Sequence, residues 1–178
     1  MEYSDKEKKE AMATARNNGA VSSKAVVPKV VRKFAHKNET IILDYGCGQA
    51  KKHVAELLQE GYIVEGYDFS LPHTAVCLKG QYDMVYLSNV LNVQSSLTML
   101  DLTLRQVAEV LYRTKLIGGD HFRAKAIINY PTTPRKLNIN TKAMQTILET
   151  YFYEVHRCPY SEVGNNIVWI CSGPWPVR

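Results

Sequence analysis

The chain has 178 residues, of which 46% are apolar and 22% charged, and this composition is typical of a globular protein rather than a disordered chain. Its length allows one domain with a sizeable core. No apolar run approaches the length of a membrane span, and the charged N-terminus is unlike a signal peptide. We therefore expect a cytoplasmic protein without a membrane partner.

The net charge of +5 is concentrated at the beginning of the chain, where residues 1–40 hold nine Lys and Arg against five Asp and Glu. Residues 1–20 are predicted to form a basic N-terminal arm or helix, and residues 21–178 a single domain. A basic arm is attracted to phosphates, which makes nucleic acid a candidate partner. A solvated helix face of mixed charge explains the pattern equally well, and of the two interpretations we favour nucleic acid.

Taken in chain order, the hydrophobic periodicity predicts helices that alternate with strands. The first half is predicted to contain a charged helix over 5–17, a helix from Ser22 or Ser23 through Pro28 to about His36, a strand over 40–45, a helix over 50–60 and a strand over 62–67. The second half is predicted to contain a strand over 82–88, a helix capped by Ser95-Ser96, a strand over 125–129, a helix capped by Asn140 or Thr141, and two strands over 153–160 and 166–172. This alternation indicates an α/β fold.

The most informative segment is the strand that ends at Asp44 and continues into a Gly46-x-Gly48 turn. Glycines without a Cβ let a turn tighten and let a ligand approach the backbone. Asp68 ends the following strand, where a carboxylate can accept hydrogen bonds from the hydroxyls of a ribose. The two features together predict a site for a cofactor that contains adenosine.

The spacing of the glycines separates the candidate cofactors. Lys51 stands where a dinucleotide fingerprint has its third glycine, and no Gly-Lys-Ser/Thr sequence of the P-loop kind is present. Asp44 lies two residues before Gly46, and the small Ala50 is the fifth residue counted from Gly46. This pattern resembles motif I of the class I S-adenosylmethionine-dependent methyltransferases. Asp68-Phe69 resembles their second motif, in which an apolar residue follows the acid.

The resemblance continues into the strand that begins near Asp83 and the Asn89-Val90-Leu91-Asn92-Val93 turn after it. The combined pattern resembles small methyltransferase-like proteins of bacteriophages and the methyltransferase-like proteins found beside DNA phosphorothioation systems. It covers about residues 20–172 and is strongest over 41–93. The family implies a Rossmann-like, mostly parallel sheet with a C-terminal antiparallel hairpin, S-adenosylmethionine as cofactor and, if the protein is viral, the host cytoplasm as its location.

The family pattern also implies which residues form the site. Asp44 would lie near the ammonium group of the cofactor and Asp68 on its ribose, and the turn after the strand at 82–88 would face the methyl group. Asn89 and Asn92 are the candidate catalytic residues, although asparagine is also common in turns without any catalytic role. The full set of predicted cofactor contacts is Asp44, Tyr45, Gly46, Cys47, Gly48, Asp68, Phe69 and Asn89.

One edge of the predicted sheet is abbreviated. Asp83 follows Asp68 by only 15 positions, which is too few for the usual helix, third strand and second helix. Thr74–Leu78 could form a short edge strand, and Phe69, Leu71 and the loop over 72–80 would then complete the adenine pocket. A partner subunit, such as a second copy of the chain, could cover this edge.

Other reactive side chains carry weaker signals. The cysteines at 47, 77, 158 and 171 lack metal-ligand spacing, so we expect reduced thiols and no metal. Cys158-Pro159 reverses the Pro-Cys nucleophile of cytosine-C5 methyltransferases. His121 beside Asp120 and His73 near the pocket mouth are weak candidates for a base.

The acceptor is the least determined property. Ser88-Asn89-Val90-Leu91 lacks the prolines that exocyclic-amine DNA methyltransferases carry after this strand, and Asn129-Tyr130-Pro131 is interpreted as the beginning of a loop. Three hypotheses remain: methylation of nucleic acid or a nucleotide, which we favour; methylation of a small metabolite or a protein; and non-catalytic binding of the cofactor by an anti-defence or regulatory protein.

Overall fold

The computed structural model of the protein describes residues 3–17, 25–118, 124–131 and 136–176. Two 3₁₀ segments, Pro72–Lys79 and Leu91–Val93, accompany the regular elements of these residues. The helices are α1 (Asp5–Asn17), α2 (Val26–Phe34), α3 (Lys52–Gln59), α4 (Leu97–Gly118), α5 (Thr141–Glu149) and α6 (Tyr160–Val163). The strands are β1 (Ile41–Tyr45), β2 (Ile63–Tyr67), β3 (Met84–Leu87), β4 (Lys125–Tyr130), β5 (Phe152–Arg157) and β6 (Ile167–Pro174).

The six strands form one sheet in the order β2-β1-β3-β4-β6-β5. The four strands from β2 to β4 are parallel, whereas β6 runs antiparallel to both β4 and β5. The prediction of a Rossmann-like, mostly parallel sheet with a C-terminal antiparallel hairpin is therefore confirmed. The carboxyl ends of β1, β2, β3 and β4 meet at one edge, which we call the rim. Because Arg157 pairs with Trp169, the end of β5 also reaches the rim.

The sheet is covered on both faces, as expected for parallel strands with apolar runs. Leu43, Val85 and Ile128 are fully buried on the face covered by α4 and α5. Their neighbours in sequence, Ile42 and Met84, are buried on the opposite face with α2 and α3. The alternation of side chains along each strand thus creates two apolar layers and leaves the rim as the place where polar residues collect.

Two predicted helix caps are confirmed. The Oγ of Ser96 accepts a hydrogen bond from the Met99 N–H at 3.0 Å, and the Oδ1 of Asn140 accepts one from the Ala143 N–H at 2.9 Å. These contacts satisfy N–H groups that the first turn of a helix leaves unpaired. The N-cap of α2 is Ala25, and the predicted caps at residues 22 and 23 lie outside the described residues.

The N-terminal helix α1 is attached to the rest of the molecule through Tyr3. This side chain is buried, and its hydroxyl lies 2.7 Å from the Tyr45 hydroxyl and 2.8 Å from the Thr103 Oγ1. The Tyr3 ring also packs edge-on against Phe69, with ring centroids 5.8 Å apart. α1 therefore lies at the rim, where it packs against the Leu91–Val93 segment.

The segment between β2 and β3 contains no strand, so the predicted edge strand over Thr74–Leu78 is wrong. Residues 72–79 instead form a 3₁₀ helix. The Thr74 hydroxyl donates to the Leu71 carbonyl at 2.7 Å and accepts from the Asp68 N–H at 3.1 Å. These local bonds wind the chain, because a threonine side chain competes with the sheet for backbone groups. β2 consequently remains the outermost strand, as the abbreviated edge predicted.

Two further boundaries differ from the sequence-based prediction. Asn129 and Tyr130 belong to β4 and do not begin a loop, since both pair with residues of β6. The strand predicted over 153–160 ends at Arg157 because Pro159, which has no N–H for the ladder, precedes the short helix α6.

No described helix is both long and apolar enough to span a membrane.

Candidate functional site

The glycine turn after β1 is tied to the end of β2. Gly46 and Gly48 have φ angles of +84° and +68°, which glycine adopts without strain. The N–H groups of Gly46 and Cys47 both donate to the Tyr67 carbonyl, at 2.7 and 3.1 Å. The Gly48 N–H donates to the Asp68 Oδ2 at 2.9 Å. Backbone hydrogen bonds thus fix this part of the rim.

The two glycines of the turn differ in their surroundings. A Cβ on Gly46 would lie 2.5 Å from the Val90 Cγ2, so the turn after β3 packs directly against this glycine. A Cβ on Gly48 would meet no atom within 4 Å. Gly46 is therefore required for packing, whereas Gly48 opens onto free space at the rim.

Asp68 accepts two backbone hydrogen bonds at the end of β2. Its Oδ2 is bonded to Gly48, and its Oδ1 accepts from the Ser70 N–H at 2.8 Å. A carboxylate offers about four acceptor positions, so capacity remains for two further donors such as hydroxyl groups. The side chain is half-buried, which leaves it within reach of a ligand at the rim.

Asp44 is the most deeply buried charged group of the site, with 1% of its surface exposed. Neither its Oδ2 nor the hydroxyl of Tyr86, the residue paired with it on β3, has a hydrogen-bond partner. Burial raises the pKa of Asp44 to about 7, the nearby Tyr86 hydroxyl opposes this rise, and the charge of Asp68 adds to it. A buried carboxylate with one unpaired oxygen is suited to a cationic ligand group.

Tyr45 and Cys47 contribute their backbone to the turn, while their side chains point into the protein. The Tyr45 ring packs 4.9 Å from that of Tyr67, and its hydroxyl bonds to Tyr3 and Gln106. Burial raises the pKa of the Cys47 thiol to about 12, and the charges of Asp44 and Asp68 add to the rise. Cys47 is therefore a protonated packing residue and not a nucleophile.

The ends of β3 and β4 are joined by a reciprocal pair of amide hydrogen bonds. The Asn89 N–H donates to the Asn129 Oδ1 at 2.6 Å, and the Asn129 Nδ2 donates to the Asn89 Oδ1 at 2.8 Å. Asn89 has a left-handed φ of +60°, which asparagine adopts more readily than most residues. Asn129 was not predicted as a site residue. An asparagine at the carboxyl end of two adjacent strands was the signal that could have revealed it.

Asn92 is 7% exposed, and its Oδ1 has no hydrogen-bond partner. Gln94, at 2% exposure, likewise has an unpaired Oε1, although its Nε2 donates to the Val90 carbonyl at 3.3 Å. Two buried acceptors thus lie beside α1 in the turn after β3. Such groups are costly unless a donor reaches them, which supports a ligand contact at this turn.

The remaining sequence-predicted residues are more dispersed. Phe69 is half-buried beside Tyr3, and His73 is exposed on the 3₁₀ segment. His121 and Asp120 lie outside the described residues. All four cysteines are free, and no cluster of three potential metal ligands occurs within the described ranges. The structure thus joins Asp44, Gly46–Gly48 and Asp68 closely, and places Asn89 beside them through Val90.

Neither a family model nor a curated protein matches this sequence. Solved structures do resemble the fold. The 1,6-didemethyltoxoflavin-N1-methyltransferase of Burkholderia thailandensis is 12% identical, with a TM-score of 0.59 and coverage of 95% of this chain and 87% of that one. An S-adenosylmethionine-dependent methyltransferase of Aquifex aeolicus is 14% identical, with a TM-score of 0.52 and coverage of 90% and 96%.

A third similar structure comes from the Haloferax volcanii complex of the Trm112 methyltransferase activator with a methyltransferase. It is 10% identical, with a TM-score of 0.55 and coverage of 97% of this chain and 99% of that one. Identities this low show a shared fold, and the fold is the Rossmann-like one that these methyltransferases have. The chemistry of this chain must therefore be inferred from its own residues.

Proposed function

We propose that the protein is an S-adenosylmethionine-dependent methyltransferase. The observation that carries the proposal is the turn at Gly46–Gly48, which is bonded to Tyr67 and Asp68 and opens onto free space at Gly48. The similar structure from Burkholderia thailandensis contains S-adenosylhomocysteine, the product form of this cofactor. Its fold matches that of the present chain, which supports the same use of the rim.

The residues of the turn fit the groups of this cofactor. The unpaired Asp44 Oδ2 provides an acceptor for the ammonium group, and burial makes the contact strong once the carboxylate is ionised. Asp68 retains two acceptor positions for the ribose hydroxyls. Phe69, half-buried at the end of β2, offers an apolar surface for the adenine ring.

The chain's own part in the reaction is mainly to position the reactants. When bound, S-adenosylmethionine supplies a methyl group that passes from its sulfonium sulfur to a lone pair of the acceptor and leaves a neutral thioether. Asn89, held by Asn129, and Asn92, with its unpaired Oδ1, are the polar groups proposed to contact methionine or acceptor. Their place at the end of β3 agrees with the position of ligands in open α/β sheets.

We further propose nucleic acid or a nucleotide as the acceptor class. Lys6 and Lys9 are exposed on α1, and this helix packs against the Leu91–Val93 segment of the rim. The sequence resemblance to small methyltransferase-like proteins of bacteriophages favours the same class. A small-molecule acceptor is the second candidate, because the similar Burkholderia thailandensis structure contains the small heterocycle 1,6-didemethyltoxoflavin.

A non-catalytic cofactor binder and a partner over the outer strand β2 are the other proposals that the fold permits. No described strand continues the sheet beyond β2, so a second copy of the chain or another protein could pair there. The similar Haloferax volcanii structure is of a complex with an activator protein.

The proposal is tested by titrating the purified chain with S-adenosylmethionine in a calorimeter, with NAD as a negative control. We expect micromolar binding that Asp68→Ala weakens by about 10- to 100-fold, which corresponds to roughly 1–3 kcal/mol. Asp83→Ala is the matched control, because the Asp83 Oδ2 also accepts a backbone N–H, from Ile41 at 2.8 Å, but at the opposite end of the sheet.

Equal affinities in the two aspartate variants would show that the cofactor does not use the end of β2. Binding that is confirmed should then be followed by transfer of a labelled methyl group to pools of cell DNA, RNA and small-molecule extract. Label in nucleic acid or nucleotides supports the proposed acceptor class, and label only in other metabolites or in protein overturns it. Cofactor binding without label in any pool supports the non-catalytic alternative.

A further inference from the structure

A crevice at the rim is lined by none of the residues assigned so far to the cofactor or the acceptor. It has a volume of about 400 Å³ and lies where the chain passes from the end of β5 through α6 to β6. Its lining residues are Arg157, Cys158, Pro159, Tyr160, Gly164 and Asn166. A volume of this size accommodates a small ligand and is at the lower end of the range for such sites.

The register of the sheet places this crevice on the acceptor side of the rim. The Cys158 N–H donates to the Val168 carbonyl at 2.8 Å, and Val168 is paired with Asn129 of β4. Adjacent strands lie about 4.8 Å apart, so the crevice begins roughly 10 Å from Asn129. Asn129 in turn holds Asn89 at the end of β3. The distance from the crevice to the site proposed for methyl transfer is therefore about the length of one small molecule.

Arg157 gives the crevice a positive charge that is not neutralised within the described part of the chain. Arg157 is exposed, and its side chain forms neither a hydrogen bond nor an ion pair with any described residue. The nearest acid of the same connection, Glu162, is paired with Lys33 of α2. A planar guanidinium presents a fork of donors that matches phosphate or carboxylate oxygens, so the group expected here is an anion.

Tyr160 and Asn166 add recognition of a planar ring with a donor. The Tyr160 side chain is 72% exposed, and an exposed aromatic face can stack on a nucleobase or similar ring. The Asn166 Nδ2 already donates to the Val163 carbonyl at 2.8 Å, which leaves its Oδ1 free to accept from an amine. A Cβ on Gly164 would meet no atom within 4 Å, so the floor between these side chains is open.

We propose that the crevice binds a small anion of the mononucleotide class, which combines a planar base with a phosphate. Arg157 contacts the phosphate, the Tyr160 ring stacks on the base and the Asn166 Oδ1 accepts from a base amine or ring N–H. The assignment of this ligand as the methyl acceptor rests on the proposed function, whereas binding of the anion does not. A nucleotide placed here reaches from the crevice towards the amide pair at the ends of β3 and β4.

The test is a titration of the full chain with AMP, adenosine and inorganic phosphate. We expect AMP to bind at least tenfold more tightly than either fragment, because ring and phosphate are recognised together. Arg157→Gln should weaken AMP binding about tenfold or more, and Tyr160→Ala about fivefold. Lys142→Gln, which removes an exposed charge from α5, should leave the affinity unchanged.

AMP could also enter the adenosine site that Asp68 forms, and the variants separate the two sites. AMP binding that persists in Asp68→Ala and is lost in Arg157→Gln belongs to the crevice. The reverse result overturns the proposal, as does an equal loss in Arg157→Gln and Lys142→Gln. S-adenosylmethionine titrated in parallel should bind Arg157→Gln normally. If it binds no variant at all while AMP still requires Arg157, the proposed function fails and the crevice site stands.

Discussion

The two halves of the rim are built in different ways. Around β1 and β2, the contacts are backbone N–H groups bonded to a carbonyl or a carboxylate within residues 44–70. Around β3, β4 and β5, they are side chains that meet from distant parts of the sequence, such as Asn89 with Asn129. The first arrangement is fixed by the backbone and fits the proposed binding of an unchanging cofactor. The second depends on individual side chains, which can be altered to suit the proposed acceptor without moving the sheet.

The largest loss of cofactor affinity is expected when Gly48 is replaced. Replacement by valine puts a side chain into the open space above the turn and should reduce cofactor affinity below detection. Gly61→Val is a matched control, because Gly61 also has a left-handed φ, of +88°, and a Cβ placed on it would meet no atom within 4 Å. Both variants should lose similar stability in thermal denaturation, but only Gly48→Val should lose binding in calorimetry.

Wild-type affinity in both glycine variants would mean that the backbone half of the rim is not the cofactor site. A loss of binding in both would mean that backbone strain, rather than occupied space, is responsible. The comparison therefore separates the conformational role of a glycine from its role in leaving room for a ligand.

The local geometry of the half of the rim that we propose holds the cofactor could be predicted from sequence, because it lies within one strand–helix–strand unit. Asp44, the two glycines and Asp68 are fixed by the connection of β1 to β2, and local rules of turns and strand ends are sufficient there. The 3₁₀ segment over 72–79 escaped prediction because a single threonine hydroxyl, that of Thr74, decides between a strand and a helical turn.

Around β3 and β4 the sequence predicted Asn89 and Asn92 but not Asn129 or the crevice, because these contacts depend on the order of the strands. β3 and β4 are adjacent although the 22-residue helix α4 separates them in sequence, and β6 inserts between β4 and β5. Only this order brings Asn129 to Asn89 and sets the crevice two strands away from Asn129 at the same edge. Which strands become neighbours is a tertiary property, and the hydrophobic periodicity of each strand does not determine it.

Substitution of Asp44 is expected to have an intermediate effect, and the sign of the resulting change in stability depends on pH. Its pKa of about 7 in the folded chain exceeds the unfolded value of about 4. Below pH 4 the carboxyl is protonated in both states, and between these values only the unfolded state loses the proton. Its contribution to stability is therefore lost as the pH rises through this window. Asp44→Asn, which cannot ionise, should be more stable than the wild type at pH 8, by up to about 4 kcal/mol.

Cofactor affinity should depend on pH in the opposite direction, since the ammonium group requires the ionised carboxylate. Wild-type affinity for S-adenosylmethionine should increase as the pH rises towards 8, and Asp44→Asn should bind weakly at every pH. Thermal denaturation and calorimetry at pH 5, 6, 7 and 8 measure both properties. A wild type that is as stable as Asp44→Asn at pH 8, or an affinity independent of pH, would contradict the assignment of Asp44.

The smallest effect is expected at Asn129, which belongs to the half of the rim built from side chains. Asn129→Ala removes both amide hydrogen bonds to Asn89 and should destabilise the fold by about 1 kcal/mol. Affinity for S-adenosylmethionine should change by less than about threefold, because hydrogen bonds from the glycine turn to Tyr67 and Asp68 hold the cofactor half independently.

A double-mutant cycle sharpens this last comparison. Asn89→Gly keeps the left-handed backbone without strain and removes the side-chain half of the pair. Combined with Asn129→Ala, it should give a coupling free energy above about 0.5 kcal/mol in chemical denaturation, as expected for residues in direct contact. Asn129→Ala combined with Asp68→Ala should instead be additive. Additivity in the first pair would contradict a direct contact between Asn89 and Asn129. Coupling in the second pair would show that the two halves of the rim act as one unit.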